Sequence, residues 1–231
     1  MLASTNSTHK QRTIASAWML GVADLLRAQG LDAEDLFRDA GLDIRLLERA
    51  DGRFSVEQVD QLWHLAAQRS GQPFIALNRT AVDKPTSFDT LAYAMMSCQN
   101  LAEAIVRLVQ YCAVVSDAVD LRVVEVVGGS RIEVIPMEQS IPGRALRLDY
   151  TIVTFLAFCR WVTCKEIKPL AVELSYPAPT TLALHEAAFA CTPRFNAPCH
   201  ALVLHEADLQ LTLPTANAAL SQMHDRVVQE R

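Results

Sequence analysis

Residues 120–136 read DLRVVEVVGGSRIEVIP, and residues 144–164 read RALRLDYTIVTFLAFCRWVTC. In the first stretch two Val- and Ile-rich runs, Leu121 to Val127 and Arg131 to Pro136, flank Gly128-Gly129-Ser130, the pattern of a β-hairpin. The second is too long for a strand and apolar on nearly every side, so it predicts a buried helix packed on the sheet. A hairpin followed by a buried helix points to an α+β domain with a small, largely antiparallel sheet.

Working outward from this pair, the chain toward the N-terminus is helical. Ile14 to Gln29 carries Ile14, Trp18, Leu20, Val22, Leu25 and Leu26 at helical spacing, with Gly30 as a stop. Ala33 to Ala40 and Ile44 to Arg49 are short helices with Asp32 and Asp43 as N-caps, and Ser55 caps a helix running to Gln68. Phe88 to Cys98 and Leu101 to Val115 form a helix pair with Asn100 as cap. Toward the C-terminus, Leu170 to Tyr176 and Ala201 to Leu204 read as strands, Leu182 to Phe189 as a helix, and Thr215 to Arg231 as a final helix. This divides the chain into a polar, disordered tail (1–12), a main unit (13–213, helical over 13–82 and α+β over 83–213) and a last, connecting or dimerisation helix (214–231).

Of the 231 residues, 51% are hydrophobic and 20% charged, the balance of a globular protein. A formal net charge of −5 opposes a nucleic-acid surface on this chain, since phosphate contacts demand clustered Lys and Arg. The segment from Asp24 to Asp60 resembles a helix-turn-helix in its short helices, but acids outnumber arginines there, so it reads as a solvated face. Asp149 and Arg160 interrupt the longest apolar run, and Met1 to Arg12 is polar, so the sequence predicts neither a membrane span nor a signal peptide and points to the cytoplasm.

Cys98, Cys112, Cys159, Cys164, Cys191 and Cys199 lack the spacing of a disulfide framework and read as reduced core thiols. His185, Cys191, Cys199, His200 and His205 are metal-capable, yet they form no paired knuckle, so no metal and no cofactor is expected. Neither a nucleophile elbow, a zinc-protease motif nor a phosphate-binding loop is present, which argues against an enzyme. A chance meeting of Cys and His in space keeps a small cysteine-dependent enzyme as an alternative, beside a ligand-free interaction module.

The strongest candidate site lies on the buried helix. Arg144 and Arg147 stand near its start, with Tyr150, Phe155, Cys159 and Trp161 beyond. Guanidinium groups at a helix N-terminus can hold a carboxylate while an apolar wall supplies contact area. In the competing reading the arginines reach solvent or pair with Asp149.

Three blocks of residues resemble the N-terminal, arabinose-binding-like sensing domain of AraC/XylS-type transcription regulators. The first holds Gly30-Leu31, Gly41-Leu42-Asp43, Asp51-Gly52-Arg53-Phe54 and Gln72-Pro73-Phe74. The second holds Phe88, Leu91, Tyr93, Ala94, Cys98, Leu101 and Glu103-Ala104, and the third His185, Phe189, Arg194-Phe195-Asn196-Ala197-Pro198 and Leu213-Pro214-Thr215-Ala216-Asn217. The resemblance implies a domain that binds a small organic effector, dimerises, and controls an attached helix-turn-helix domain expected beyond Arg231. DNA would then be met only through that further domain. Leu213, Ala216, Leu220, Met223 and Val227 recur at spacings of three and four, as in the seam of a two-stranded coiled coil, and are the candidate dimer contacts.

Overall fold

The computed structural model describes residues 11–78, 88, 90–137 and 141–229. The hairpin forms as β3 (Val119–Val126) and β4 (Gly129–Pro136), antiparallel, with Leu121 opposite Val134 and Val123 opposite Ile132. Its turn is the two-residue Val127-Gly128 rather than Gly128-Gly129-Ser130. Gly129 belongs to the strand, paired with Val126 and His205, and a β-carbon there would collide with the Leu204 carbonyl of the neighbouring strand.

The later strands join this hairpin. β5 (Ala171–Glu173) and β6 (His200–His205) complete a four-stranded sheet in the order β3-β4-β6-β5, antiparallel throughout. Against it lies α6 (Arg144–Thr163), in which all but four residues are buried, as a helix apolar on nearly every side demands. Preceding it are α1 (Ser16–Ala28), α2 (Ala33–Asp39), α3 (Val56–Ser70), α4 (Thr90–Met96) and α5 (Leu101–Val115); α7 (Ala183–Phe189), α8 (Glu206–Leu209) and α9 (Ala218–Gln229) follow. Buried side chains of both the helical part and the sheet, Leu36 and Trp63 as well as Ile132 and Leu202, belong to one continuous hydrophobic cluster.

Several expected caps operate. The side chains of Asp32, Asp43 and Asn100 accept backbone N–H groups of Asp35, Arg45 and Glu103. Ser55 differs, since its hydroxyl donates to the Glu57 carboxylate instead. Ile44–Glu48 is a 3-10 turn rather than an α-helix.

An additional ribbon, with no counterpart in the sequence reading, joins β1 (Thr13–Ala15) to β2 (Arg53–Ser55), with Ile14 opposite Phe54. Helix α1 therefore starts at Ser16, because Thr13 to Ala15 are drawn into pairing with a strand some forty positions away. Arg12 is engaged as well, donating to the Asp117 carbonyl at 3.2 Å; residues 1–10 of the expected disordered tail lie outside the described residues.

Candidate functional site

Arg147, Thr151 and Phe155 follow one another at intervals of four on α6 and so share a face. With Trp18 of α1, Leu108 and Cys112 of α5, and Leu121, Ile132 and Val134 of the hairpin, they line a mainly apolar cavity of about 40 Å³. Ile14, Phe88, Val115 and Val119 complete the apolar wall, and Arg147, Thr151, Cys112 and Ser116 are its polar members. The Thr151 hydroxyl is turned back to the Arg147 carbonyl at 2.9 Å, which leaves Arg147 as the charged group of the wall.

Arg147 is buried and its Nε donates to Oδ1 of Asp60 at 2.6 Å, with Nη2 3.5 Å from Oδ2. Asp60 is itself fully buried on α3. Two charges removed from water persist only when paired and hydrogen-bonded. The backbone holds them at this distance. Gly143, at φ 93°, turns the chain into α6 so closely against α3 that a β-carbon would overlap the Asp60 carbonyl.

The pairing of Arg147 with Asp149 weighed from sequence does not occur. Two positions along a helix correspond to about 200°, which sends the two side chains to opposite sides. Asp149 instead enters a buried polar cluster. The Tyr176 hydroxyl lies 3.0 Å from both Asp149 oxygens and 2.9 Å from His185 Nε2, and His200 Nε2 lies 3.3 Å from Asp149 Oδ1. Ser175 Oγ meets the other His200 nitrogen at 3.0 Å. Burial raises the Asp149 carboxyl above its ordinary range against the pull of His200 and Tyr176, and burial lowers His185.

The remaining candidate residues divide by position. Phe155 lines the cavity. Tyr150 is buried one step away, its ring 5.4 Å from Trp18 and 5.3 Å from Trp63. Arg144 is half-buried in the first turn of α6 and outside the cavity lining. Cys159 is in the core, and Trp161 is 39% exposed on the outer side of the helix, so neither belongs to the cavity.

Sequence reasoning missed Asp60, which it placed on a solvated face. A signal existed: Val56, Asp60 and Trp63 follow at spacings of four and three, putting the aspartate within the apolar stripe of α3. Cys112 was read only as a core thiol; it lines the cavity, and burial first, then Asp120, pushes its thiol up to about 12. Burial likewise raises Cys159 and Cys191. These shifts run opposite to what a cysteine nucleophile requires. Cys164 is exposed and departs from the core reading.

At the C-terminal end, Leu213 is buried in its own domain, with its N–H bonded to the Gln99 carbonyl, and Ala216 is partly buried against the core. Helix α9 begins only at Ala218, because the Asn217 side chain accepts the N–H groups of Ala219 and Leu220 and caps it. Leu213 and Ala216 therefore lie before the helix and not on one helical stripe with Leu220 and Met223, which are exposed on α9; the Val227 side chain lies outside the described residues. Among the described residues no helix is long and apolar enough to cross a membrane.

Comparison with known proteins agrees with this architecture. The pattern of the N-terminal arabinose-binding domain of AraC transcription regulators matches residues 30–213. The chain is 24% identical over 209 residues to the ornithine utilization regulator of Pseudomonas aeruginosa, covering 90% of this chain and 61% of that protein. It thus spans about three-fifths of that relative's length. The crystal structure of the transcriptional regulator CdpR from Pseudomonas aeruginosa shares the fold with a TM-score of 0.55 at 15% identity, over 70% of this chain and 58% of CdpR.

Proposed function

Because this chain belongs to the family of AraC transcription regulators that carry an N-terminal arabinose-binding domain, we propose that it senses a small organic effector in the cavity beside Arg147 and relays occupancy to an attached DNA-binding domain. The observation that carries the reading is the placement of the cavity between the sheet, α5 and α6, with a buried guanidinium at its wall. Such a concave, apolar site with few convergent polar groups is the usual form of a small-molecule pocket.

The effector we infer is a mostly apolar carboxylic acid. A sugar presents hydroxyls all round, and four polar residues in an otherwise apolar wall cannot satisfy them. The name of the Pseudomonas relative speaks of ornithine utilization for that protein; a second ammonium group would need an acidic partner, and Asp60 is already engaged with Arg147. A cavity of about 40 Å³ holds roughly three waters, so an organic acid must push its walls outward. That displacement is what a sensor requires, since a ligand shifts an equilibrium only by favouring one arrangement.

Helix α5 offers the route. Leu108 and Cys112 face the cavity, the helix is broken at Tyr111 (φ −117°, ψ 15°) between them, and Arg107 bonds Ser221 of α9. We further propose that the domain acts in the cytoplasm as a homodimer, with the exposed Leu220 and Met223 at the contact. It would reach DNA only through the further domain.

A thermal-shift screen of organic acids against neutral sugars tests the effector reading. Acids should raise the apparent stability, and filling the cavity with Thr151→Phe should abolish the shift. Stabilisation by a sugar that survives Arg144→Ala and Arg147→Ala overturns it. Light scattering should give twice the chain mass for the wild type and a lower mass for Leu220→Asp; a wild-type monomer removes the dimer.

A further inference from the structure

The interior cavity and a groove on the surface share a wall. Cys112, Val115 and Ser116 at the end of α5 line the cavity, as does Ile14 of β1. Their chain neighbours Ala113, Val114 and Ala15 line an open groove of about 560 Å³ with Gly52 and Arg53. Residues of one turn thus face both spaces, so the last turn of α5 is the partition between them.

Two breaks in the backbone bound that turn. Tyr111 is non-helical (φ −117°, ψ 15°) and Ser116 is extended (φ −153°, ψ 129°), so the piece between them can swing without unwinding the rest of α5. Beyond it the chain is fixed to β1, where Ile14 bridges Ser116 and the Thr13 N–H donates to Asp117 Oδ1 at 2.6 Å. Arg53, exposed on β2, ties the turn to β1. Its Nη1 donates to the Val114 carbonyl at 3.0 Å and Nη2 to the Ala113 carbonyl at 3.4 Å. On the other side Nε donates to the Thr13 hydroxyl at 2.7 Å and Nη2 to the Thr13 carbonyl at 3.4 Å.

We propose that the last turn of α5, Cys112 to Val115, is the door through which an effector enters the cavity, and that Arg53 is the clasp that holds it shut. The inference rests on the effector reading above and adds the route and its control. A cavity of about 40 Å³ admits an organic molecule only if one wall yields. The sheet and α6 are backed by packed core, whereas this turn has open space behind it, and elements with few buried contacts open most readily. Opening breaks the bonds to Ala113 and Val114 and spares those to Thr13, so the guanidinium stays in place to reclose the door. Water can replace the two lost carbonyls at an exposed side chain, which keeps the cost of opening low.

Cys112 reports the door without any ligand. Burial pushes its thiol up to about 12, so N-ethylmaleimide meets a reactive thiolate there only when the turn swings out. The whole chain is labelled and each cysteine peptide is read by mass spectrometry, with the buried Cys98 and Cys159 as measures of general opening. Arg53→Ala should label Cys112 about tenfold faster and leave Cys98 and Cys159 unchanged. Arg53→Lys keeps the charge but lacks the fork that spans both segments, and should act nearly as strongly. Equal acceleration at all three cysteines, or a Cys112 rate that neither substitution moves, overturns the door. Hexanoate or benzoate should slow Cys112 labelling in the wild type by filling the space behind the turn. If neither acid does so while the Arg53 variants behave as expected, the effector reading loses its support and the door stands.

Discussion

The guanidinium of Arg107 donates to the Ser221 hydroxyl at 2.9 Å across 114 positions of sequence, tying α5, which lines the cavity, to α9, the last helix described. The same side chain donates to the Ala94 carbonyl at 2.8 Å and contacts Cys98 Sγ, so it joins α4, α5 and α9. Thr215 and Asn217 add bonds to the Met96 and Ser97 carbonyls beside it. Ser221→Ala should therefore cost only about 1 kcal/mol globally. It should nevertheless speed amide hydrogen exchange in α9 about tenfold without changing exchange in the sheet. Uniform acceleration throughout the domain would count against a local latch.

Replacing Gly143 tests how closely α6 is set against α3. Gly143→Ala introduces a β-carbon at φ 93° and directs it at the Asp60 carbonyl. We expect a loss of about 3 kcal/mol or more in urea denaturation, beyond the 1–2 kcal/mol or so of left-handed strain alone. A loss below about 1 kcal/mol would mean that the two helices can separate freely.

The buried ion pair should show strong coupling in a double-mutant cycle. Asp60→Ala and Arg147→Met, each removing one side of the buried 2.6 Å contact, should cost about 3–5 kcal/mol apiece. Combined, they should cost less than the sum of the two, because the contact between them can be lost only once. Additive losses in equilibrium unfolding would show that the pair contributes nothing as a pair.

His185 gives a pH signature. Burial lowers its folded-state pKa, so below about pH 6.5 the unfolded chain binds the proton more readily than the native one and stability falls on acidification. Asp149, raised by burial, works with the opposite sign, since its folded form holds a proton that the unfolded form has lost above about pH 4. His185→Gln isolates the histidine term. The variant should be less stable than the wild type at about pH 8, and the gap should narrow as pH falls through the histidine range. A gap independent of pH would assign His185 a packing role only.

The sequence by itself determined the features whose causes are local. The β3-β4 hairpin and α6 follow from side-chain periodicity, and the caps at Asp32, Asp43 and Asn100 act within three residues of themselves. Arg147 and Phe155, which line the cavity, were singled out in the sequence because Arg followed by aromatics on an apolar helix is itself a local pattern. Family membership was legible in the same way, through short blocks in a fixed order along the chain. Tertiary structure alone decided the rest. The β1-β2 ribbon consists of strands three residues long that have no propensity without one another, and Leu213, periodic with α9, is instead held by Gln99. The partner of Arg147 was decided in the same way: Asp149 is near in sequence but points to the other side of α6, whereas Asp60, 87 positions away, is brought against it by the packing of α3 on α6. Periodicity specifies which face of an element is buried, and only the packed chain specifies what that face meets.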